Sequence, residues 1–306
     1  MRGWGAVRDG CVGKSVVIVN DRALYNRRYR AHLVGELEKV GFKVESIGLF
    51  DGVLSFFRAV FHSFSSRKIL VVSNLRSNIL ALLFFGGPCS IILNGLGRYR
   101  KNKRFRVLFV LLMKLNGKKV FIVQSYSDYR FFRRYCSSSD LVWIPGSGGS
   151  QKAIGLENHL VLVQRDEKIA LVKDSVKDLI KKIECPMPIA IVGCVDQDRL
   201  AEVFEGIDFS CSGYVDAKNI FLSGSIFVQP SGYGEGFPHT LADAICSGMK
   251  IFIAHSEFIR YGIYKMPVSP EPLVDKWYSF KPTESLIDLI RKESVTDKYI
   301  KCILRN

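Results

Sequence analysis

Phe227-Val228-Gln229-Pro230-Ser231-Gly232-Tyr233-Gly234-Glu235-Gly236-Phe237-Pro238-His239-Thr240-Leu241-Ala242-Asp243-Ala244 is the stretch on which the reading of this chain turns. Residues 225–228 read as a buried parallel strand, a glycine-rich loop follows, and a short helix ends near Gly248. A helix start exposes backbone N–H groups and a partial positive charge, so the segment suits an anionic group such as a phosphate. Glu235 falls in the loop and Asp243 in the first turns of the helix. Two acceptor-only side chains flanking an anion site match a polyhydroxylated phosphate ester whose hydroxyls donate to them. A nucleotide sugar has that shape.

Outward from this segment, short apolar runs alternate with helical patterns, as expected of βαβ units around parallel sheets. Before the glycine cluster Pro145-Gly146-Ser147-Gly148-Gly149-Ser150, strands are expected at 16–19, 43–47, 69–72, 90–93, 120–123 and 142–144. Helices are expected at 24–40, 53–62, 77–85, 103–115 and 127–135. Beyond it, strands are expected at 159–163, 189–192, 208–211, 225–228 and 251–253, with helices at 171–183, 197–204 and 239–247. The cluster marks the domain boundary. The expected fold class is α/β, with two doubly wound Rossmann-like domains facing a central cleft. Residues 1–147 form the first domain, 148–282 the second, and 283–306 a helical segment of one or two helices.

The chain of 306 residues is 48% apolar, which excludes global disorder. Its 44 basic and 29 acidic residues give a formal charge of +15, pointing to an anionic partner. The excess gathers in residues 98–134, where a row of Lys and Arg faces one acid, Asp128, around the apolar run 107–113. That run is too short to cross a bilayer, which takes about 20 residues. A basic stretch beside it suits either an anionic leaflet or a buried helix with a solvated face. Nucleic-acid binding accounts for the charge, yet no zinc-ligand set or RNP-like aromatic motif accompanies it. The eight cysteines are scattered without a CxxC pair, which disfavours a zinc site or disulfide framework. With no apolar core of a secretory signal in the first residues, the expectation is a cytoplasmic protein, with loose attachment to the inner face of the membrane open.

Pro230-Ser231 followed by Glu235-Gly236-Phe237, with a second acid eight residues after Glu235, resembles the retaining glycosyltransferases of the two-domain GT-B type, specifically family 4. Asn94-Gly95-Leu96-Gly97, Phe121-Ile122-Val123-Gln124-Ser125 and Ile144-Pro145-Gly146-Ser147-Gly148 are similar to members acting in bacterial surface-polysaccharide assembly. The second acid is usually Glu in that family and is Asp243 here.

The resemblance implies transfer of a sugar from a nucleotide sugar, a UDP-sugar in the first place, to a glycan or lipid-linked acceptor, with no cofactor and no protein-bound metal. It assigns Glu235 to the donor sugar's hydroxyls or its reacting end, and Asp243 to the ribose hydroxyls. Gly236, Phe237 and Pro238 would line the donor, the first two through backbone N–H groups. Arg165 and Lys168 match the family's basic pair, which steadies charge on the leaving phosphates, although their interval is shorter than usual. Gly193 gives room near the nucleotide or is simply a strand-end turn. Asn94 and Gly95 are expected on the acceptor side. Asp21 either serves the acceptor hydroxyl or only forms a turn. The short basic interval and Asp243 keep a second possibility open, a catalytically degenerate scaffold at the membrane. A third is a nucleotide-sugar epimerase or hydrolase on the same scaffold. In GT-B enzymes the last helix commonly crosses back to the first domain, and residues 283–306 are placed to do so.

Overall fold

The computed structural model describes residues 15–117, 119–136, 140–183, 187–231 and 236–305. The chain divides into two compact units, one of Met1–Ser147 with Val295–Asn306 and one of Gly148–Ser294.

The first unit runs β1 (Ser15–Asn20), α1 (Ala23–Tyr29), α2 (Ala31–Lys39), β2 (Lys43–Gly48), α3 (Val53–Ser63), β3 (Lys68–Ser73), α4 (Leu75–Phe84), β4 (Cys89–Leu93), α5 (Lys103–Lys114), β5 (Val120–Val123), α6 (Tyr126–Phe132) and β6 (Leu141–Trp143). Its sheet has the order β2-β1-β3-β4-β5-β6, parallel at every pairing. Both faces are covered, so the strands are continuous apolar runs such as Val16-Val17-Ile18-Val19, all fully buried.

The second unit runs β7 (Leu160–Val163), α7 (Asp166–Lys182), β8 (Ile189–Val192), α8 (Gln197–Val203), β9 (Phe209–Gly213), β10 (Ile226–Gln229), α9 (His239–Cys246), β11 (Lys250–Ala254), α10 (His255–Tyr261), β12 (Glu271–Val274), β13 (Trp277–Phe280) and α11 (Glu284–Ile290). A last helix, α12 (Lys292–Ile303), follows. The sheet order is β12-β13-β11-β10-β7-β8-β9, parallel from β11 to β9 with an antiparallel hairpin at the other edge. The α/β class with two doubly wound sheets is therefore found.

In the first unit the chain steps one way from β1 to β2 and the opposite way thereafter. Right-handed crossovers then place α2 on one face and α3 to α6 on the other. The cores agree. Val17, Val19, Leu70 and Val72 pack with Ala59, Ala81, Phe109 and Phe132. Val16, Ile18 and Val71 pack with Leu33 and Leu37 of α2 and with Val295, Tyr299 and Ile300 of α12.

Three local differences from the sequence reading have physical causes. The helix expected at 24–40 breaks at Arg30, whose backbone (φ −123°, ψ 5°) leaves the helical region while its side chain is buried. α7 begins at Asp166, more than a turn ahead of the expected 171, with Asp166 and Glu167 complementing the dipole of its first turn. The hairpin β12–β13 and helix α10 were not expected; Pro272 disguises an edge strand, and Lys276 takes the left-handed turn position at φ 64°.

Candidate functional site

In the second sheet the strand order reverses between β7 and β10, and a crevice opens at the carboxyl ends of strands on either side of such a reversal. Arg165 follows β7 as the N-cap residue of α7, with its side chain exposed. Lys168 lies in the first turn, half-buried, and its pKa is lowered by burial and then by Arg165 beside it. Asp166 ties this helix start to the loop after β8, accepting from the N–H groups of Val195 (3.0 Å) and Asp196 (3.2 Å). Gly193 ends β8 at φ +97°, donating its N–H to Gly213 O at 2.7 Å. A Cβ there would stand 2.5 Å from the Gln164 carbonyl oxygen, so the fold's own turn already demands glycine.

Beyond β10 the Ser231 N–H donates to Ser175 Oγ at 3.2 Å. Glu235 lies outside the described residues. Gly236 and Phe237 are buried, the Phe237 ring 5.5 Å from that of Tyr261, so this side chain belongs to the core. Pro238 is the N-cap of α9 and brings no capping side chain to the N–H groups of the first turn. Asp243 sits in the second turn of α9. Its Oδ1 accepts from Ser150 N (2.8 Å) and Ser150 Oγ (3.3 Å), which fastens α9 to the boundary loop. Burial pushes its carboxyl above the ordinary range, against the opposing pull of Ser150 and Lys152. Gly149 belongs to the same contact: a Cβ on it would meet Ala242 O at 2.2 Å.

The first sheet has its reversal between β1 and β3. Polar residues follow the apolar runs there, and they are joined into one chain. Asn20 Nδ2 donates to Asn26 Oδ1 (3.1 Å) and Ser73 Oγ (2.9 Å), and Asn20 Oδ1 accepts from Asn74 Nδ2. Asn94 Nδ2 donates to Asn74 Oδ1 (3.0 Å), and Asn94 Oδ1 accepts from Arg30 Nη2 (2.9 Å). Arg30 Nη1 donates to Ser147 Oγ (2.7 Å), and Gln124 Nε2 donates to Tyr299 Oη (2.9 Å), which donates to Gly146 O (2.8 Å). Arg30 is 4% exposed and no carboxylate pairs with it among the described residues. Burial lowers its pKa, the neighbouring Tyr299 phenol opposing.

Of the acceptor-side candidates, Asn94 is thus a link in this chain, and Gly95 follows it at φ 117°. Asp21 accepts from Ser77 Oγ (2.6 Å) and Ser77 N (3.2 Å), capping the first turn of α4 from another strand. Sequence reasoning missed Asn20, Arg30, Asn74, Gln124 and Tyr299. The available signal was positional: Asn20, Asn74, Asn94 and Gln124 each stand at the carboxyl end of an apolar strand run. Among the described residues, no group of three His, Cys, Asp or Glu side chains is arranged to hold a metal ion.

Among solved structures, the chain is similar to HepE of Anabaena, determined in complex with UDP, at 12% identity, covering 78% of this chain and 79% of that one with a TM-score of 0.50. The fold class is GT-B. MurG of Acinetobacter baumannii also matches, at 12% identity over 70% of this chain and 71% of that one, TM-score 0.38. UDP-GlcNAc 2-epimerase of Neisseria meningitidis, bound to UDP-GlcNAc, matches at 10% identity over 96% and 100%, TM-score 0.44. At these lower scores the last two carry no weight. No protein-family model and no curated protein sequence matches the chain.

Proposed function

We propose that this chain is a retaining glycosyltransferase of family 4 that moves a sugar from a nucleotide sugar, a UDP-sugar first of all, to a glycan or lipid-linked acceptor at an anionic membrane surface, in bacterial surface-polysaccharide synthesis. The observation that carries this reading is the end of the second sheet. There two helix starts, those of α7 and α9, follow the strands on either side of the order reversal, and the first carries Arg165 and Lys168. Helix N-termini and basic side chains together suit a pyrophosphate whose charge grows as the glycosidic bond opens. The GT-B fold and the UDP bound by HepE support the same donor class.

In this reading the Arg165 fork and the Lys168 point charge steady the leaving diphosphate. Glu235 faces the reacting end of the sugar. Gly236, Phe237 and Pro238 contribute backbone to the donor, and Gly193 keeps the turn open beside it. Asp243 takes the ribose hydroxyls through Oδ2, its Oδ1 being held by Ser150. Asn94, Gly95 and Asp21 belong to the acceptor side, and no metal is assigned a role. The engagement of Asp243 by Ser150 favours one competitor, a degenerate protein that retains the fold as a scaffold.

Melting temperatures measured against a panel of nucleotide sugars separate the two. A rise with a UDP-sugar, lost in Glu235→Ala, is the expected result; no response to any donor would favour the scaffold instead.

A further inference from the structure

Helix α3 turns four of its apolar side chains, two of them phenylalanines, away from its own sheet. Val53, Leu54, Phe57 and Phe61 fall within an arc of about 100° at 3.6 residues per turn. All four face outward, Leu54 being 85% and Phe61 77% exposed. The inward face, by contrast, is made of Ala59, Ser63, Phe56 and Val60. A helix stabilised only by its own sheet has no use for that arrangement.

The neighbouring helices of the same layer continue the surface. Phe56 meets Phe84 of α4 edge-on at 5.7 Å, and Phe84 and Leu83 are half exposed. On α5, Val107, Leu108 and Leu111 also point outward, each more than half exposed. Single exposed apolar side chains are ordinary, but a surface continued over three adjacent helices marks a contact site.

Charge identifies the occupant. Between residues 52 and 139 the chain has sixteen Lys and Arg and a single acid, Asp128, which is buried; of the sixteen, Arg58 and Lys68 pair with Glu45 and Lys119 is buried, so the border rests on the cations of α5 and α6. Exposed Lys103, Arg104 and Lys114 lie on α5 beside its apolar arc. On α6 and the turn after it, Arg130, Arg133 and Arg134 line a groove with Tyr126 and Tyr129. A second copy of this chain would bring two such basic borders together, which repel. An anionic leaflet satisfies both parts, taking apolar side chains below its headgroups and cations among its phosphates. Among the described residues no helix is long and apolar enough to cross a membrane, so the contact is one of lying on the leaflet.

We infer that the outward face of α3, α4 and α5 is a leaflet-docking surface, in which the α3 phenylalanines enter the acyl boundary and the α5 and α6 cations hold anionic headgroups. This deepens the membrane-surface part of the function proposed above by naming the face, and α3 lies outside the basic segment 98–134 that first suggested it.

Co-sedimentation of the full chain with vesicles tests it. Binding to vesicles containing phosphatidylglycerol is expected, weakened by salt and nearly absent on pure phosphatidylcholine. The double substitution Phe57→Ser with Phe61→Ser should weaken it at least about tenfold while leaving the melting temperature unchanged, since both rings are exposed. Lys103→Glu with Arg104→Glu should abolish the preference for the anionic lipid. Failure of the wild-type chain to bind these vesicles overturns the proposal. So does a concentration-dependent dimer, seen by sedimentation without lipid, that the phenylalanine variant dissolves. Nucleotide-sugar binding in lipid-free solution is read separately, so loss of docking and loss of the donor reading are distinguishable.

Discussion

The carboxyl ends of the two sheets are built on opposite principles. In the first unit the polar side chains after β1, β3, β4 and β5 bond to one another, through Asn20, Asn74, Asn94, Arg30, Ser147, Gln124 and Tyr299. In the second unit the corresponding positions present a glycine turn at Gly193, two helix starts and the exposed side chain of Arg165. A connected network fixes geometry, because each buried member that loses a partner costs a desolvation penalty. In the second unit the strands on either side of the reversal lead into helix starts, whose N-terminal dipoles face the same end of the sheet. The contrast teaches that the first unit uses its strand-end side chains to fix its own switch point, while the second places helix starts there, where the function proposed above puts the diphosphate.

The strongest way to break this contrast is to remove Arg30. Arg30→Ala takes the donor from Asn94 Oδ1, leaves Ser147 Oγ with Gln124 alone and empties a buried site, so urea unfolding should show a loss of about 3 kcal/mol. An unchanged midpoint would mean that the network is not holding the strand ends.

Lys168→Ala sharpens the other half. Stability should change by less than about 1 kcal/mol, while affinity for a UDP-sugar falls about tenfold, or ~1.4 kcal/mol. Because burial and Arg165 lower its pKa, Lys168 loses charge before an ordinary lysine does as the solution is made alkaline. Donor affinity in the unsubstituted protein should therefore decline early on the alkaline side, and calorimetric titration of the variant should show that decline flattened.

The smallest effect concerns Asp243. Its folded-state pKa is raised, so below the ordinary carboxylate range both folded and unfolded chains hold the proton and burial costs nothing. As the pH climbs, the unfolded chain releases its proton first, and stability is lost until the raised value is passed. Asp243→Asn keeps an oxygen to accept from Ser150 and never ionises. Its melting temperature should match the unsubstituted protein at about pH 3 and exceed it at about pH 7, together with weaker donor binding. Equal melting curves at both would remove the argument that an uncomfortable acid is kept there for a ligand.

Much of the fold was legible because buried parallel strands advertise themselves as unbroken apolar runs, as in residues 69–72 and 189–192. The break at Arg30 was not, since the 3.6-residue period carries straight through Arg27 to Val34 and only the buried position of one side chain interrupts it. The hairpin β12–β13 escaped because Glu271-Pro272-Leu273-Val274 has neither alternation nor a β-branched run. At the candidate site, Asp243 stood out through its spacing from Glu235, and Arg165 and Lys168 only through the resemblance to family 4. Of the first unit's asparagines only Asn94 did; Asn20 and Asn74 did not, because Asn after a strand reads as turn chemistry until three dimensions join it to the others. Asp21 carried two readings, and its bond to Ser77 supplies a structural one.

The return of the last helix has a bearing on how the molecule is made. Val295, Tyr299, Ile300 and Ile303 seal the face of the sheet that includes Val16 and Ile18. The whole second unit is translated between these partners. During synthesis that face of the earliest strands therefore stays without its closing helix until the whole second unit has been made.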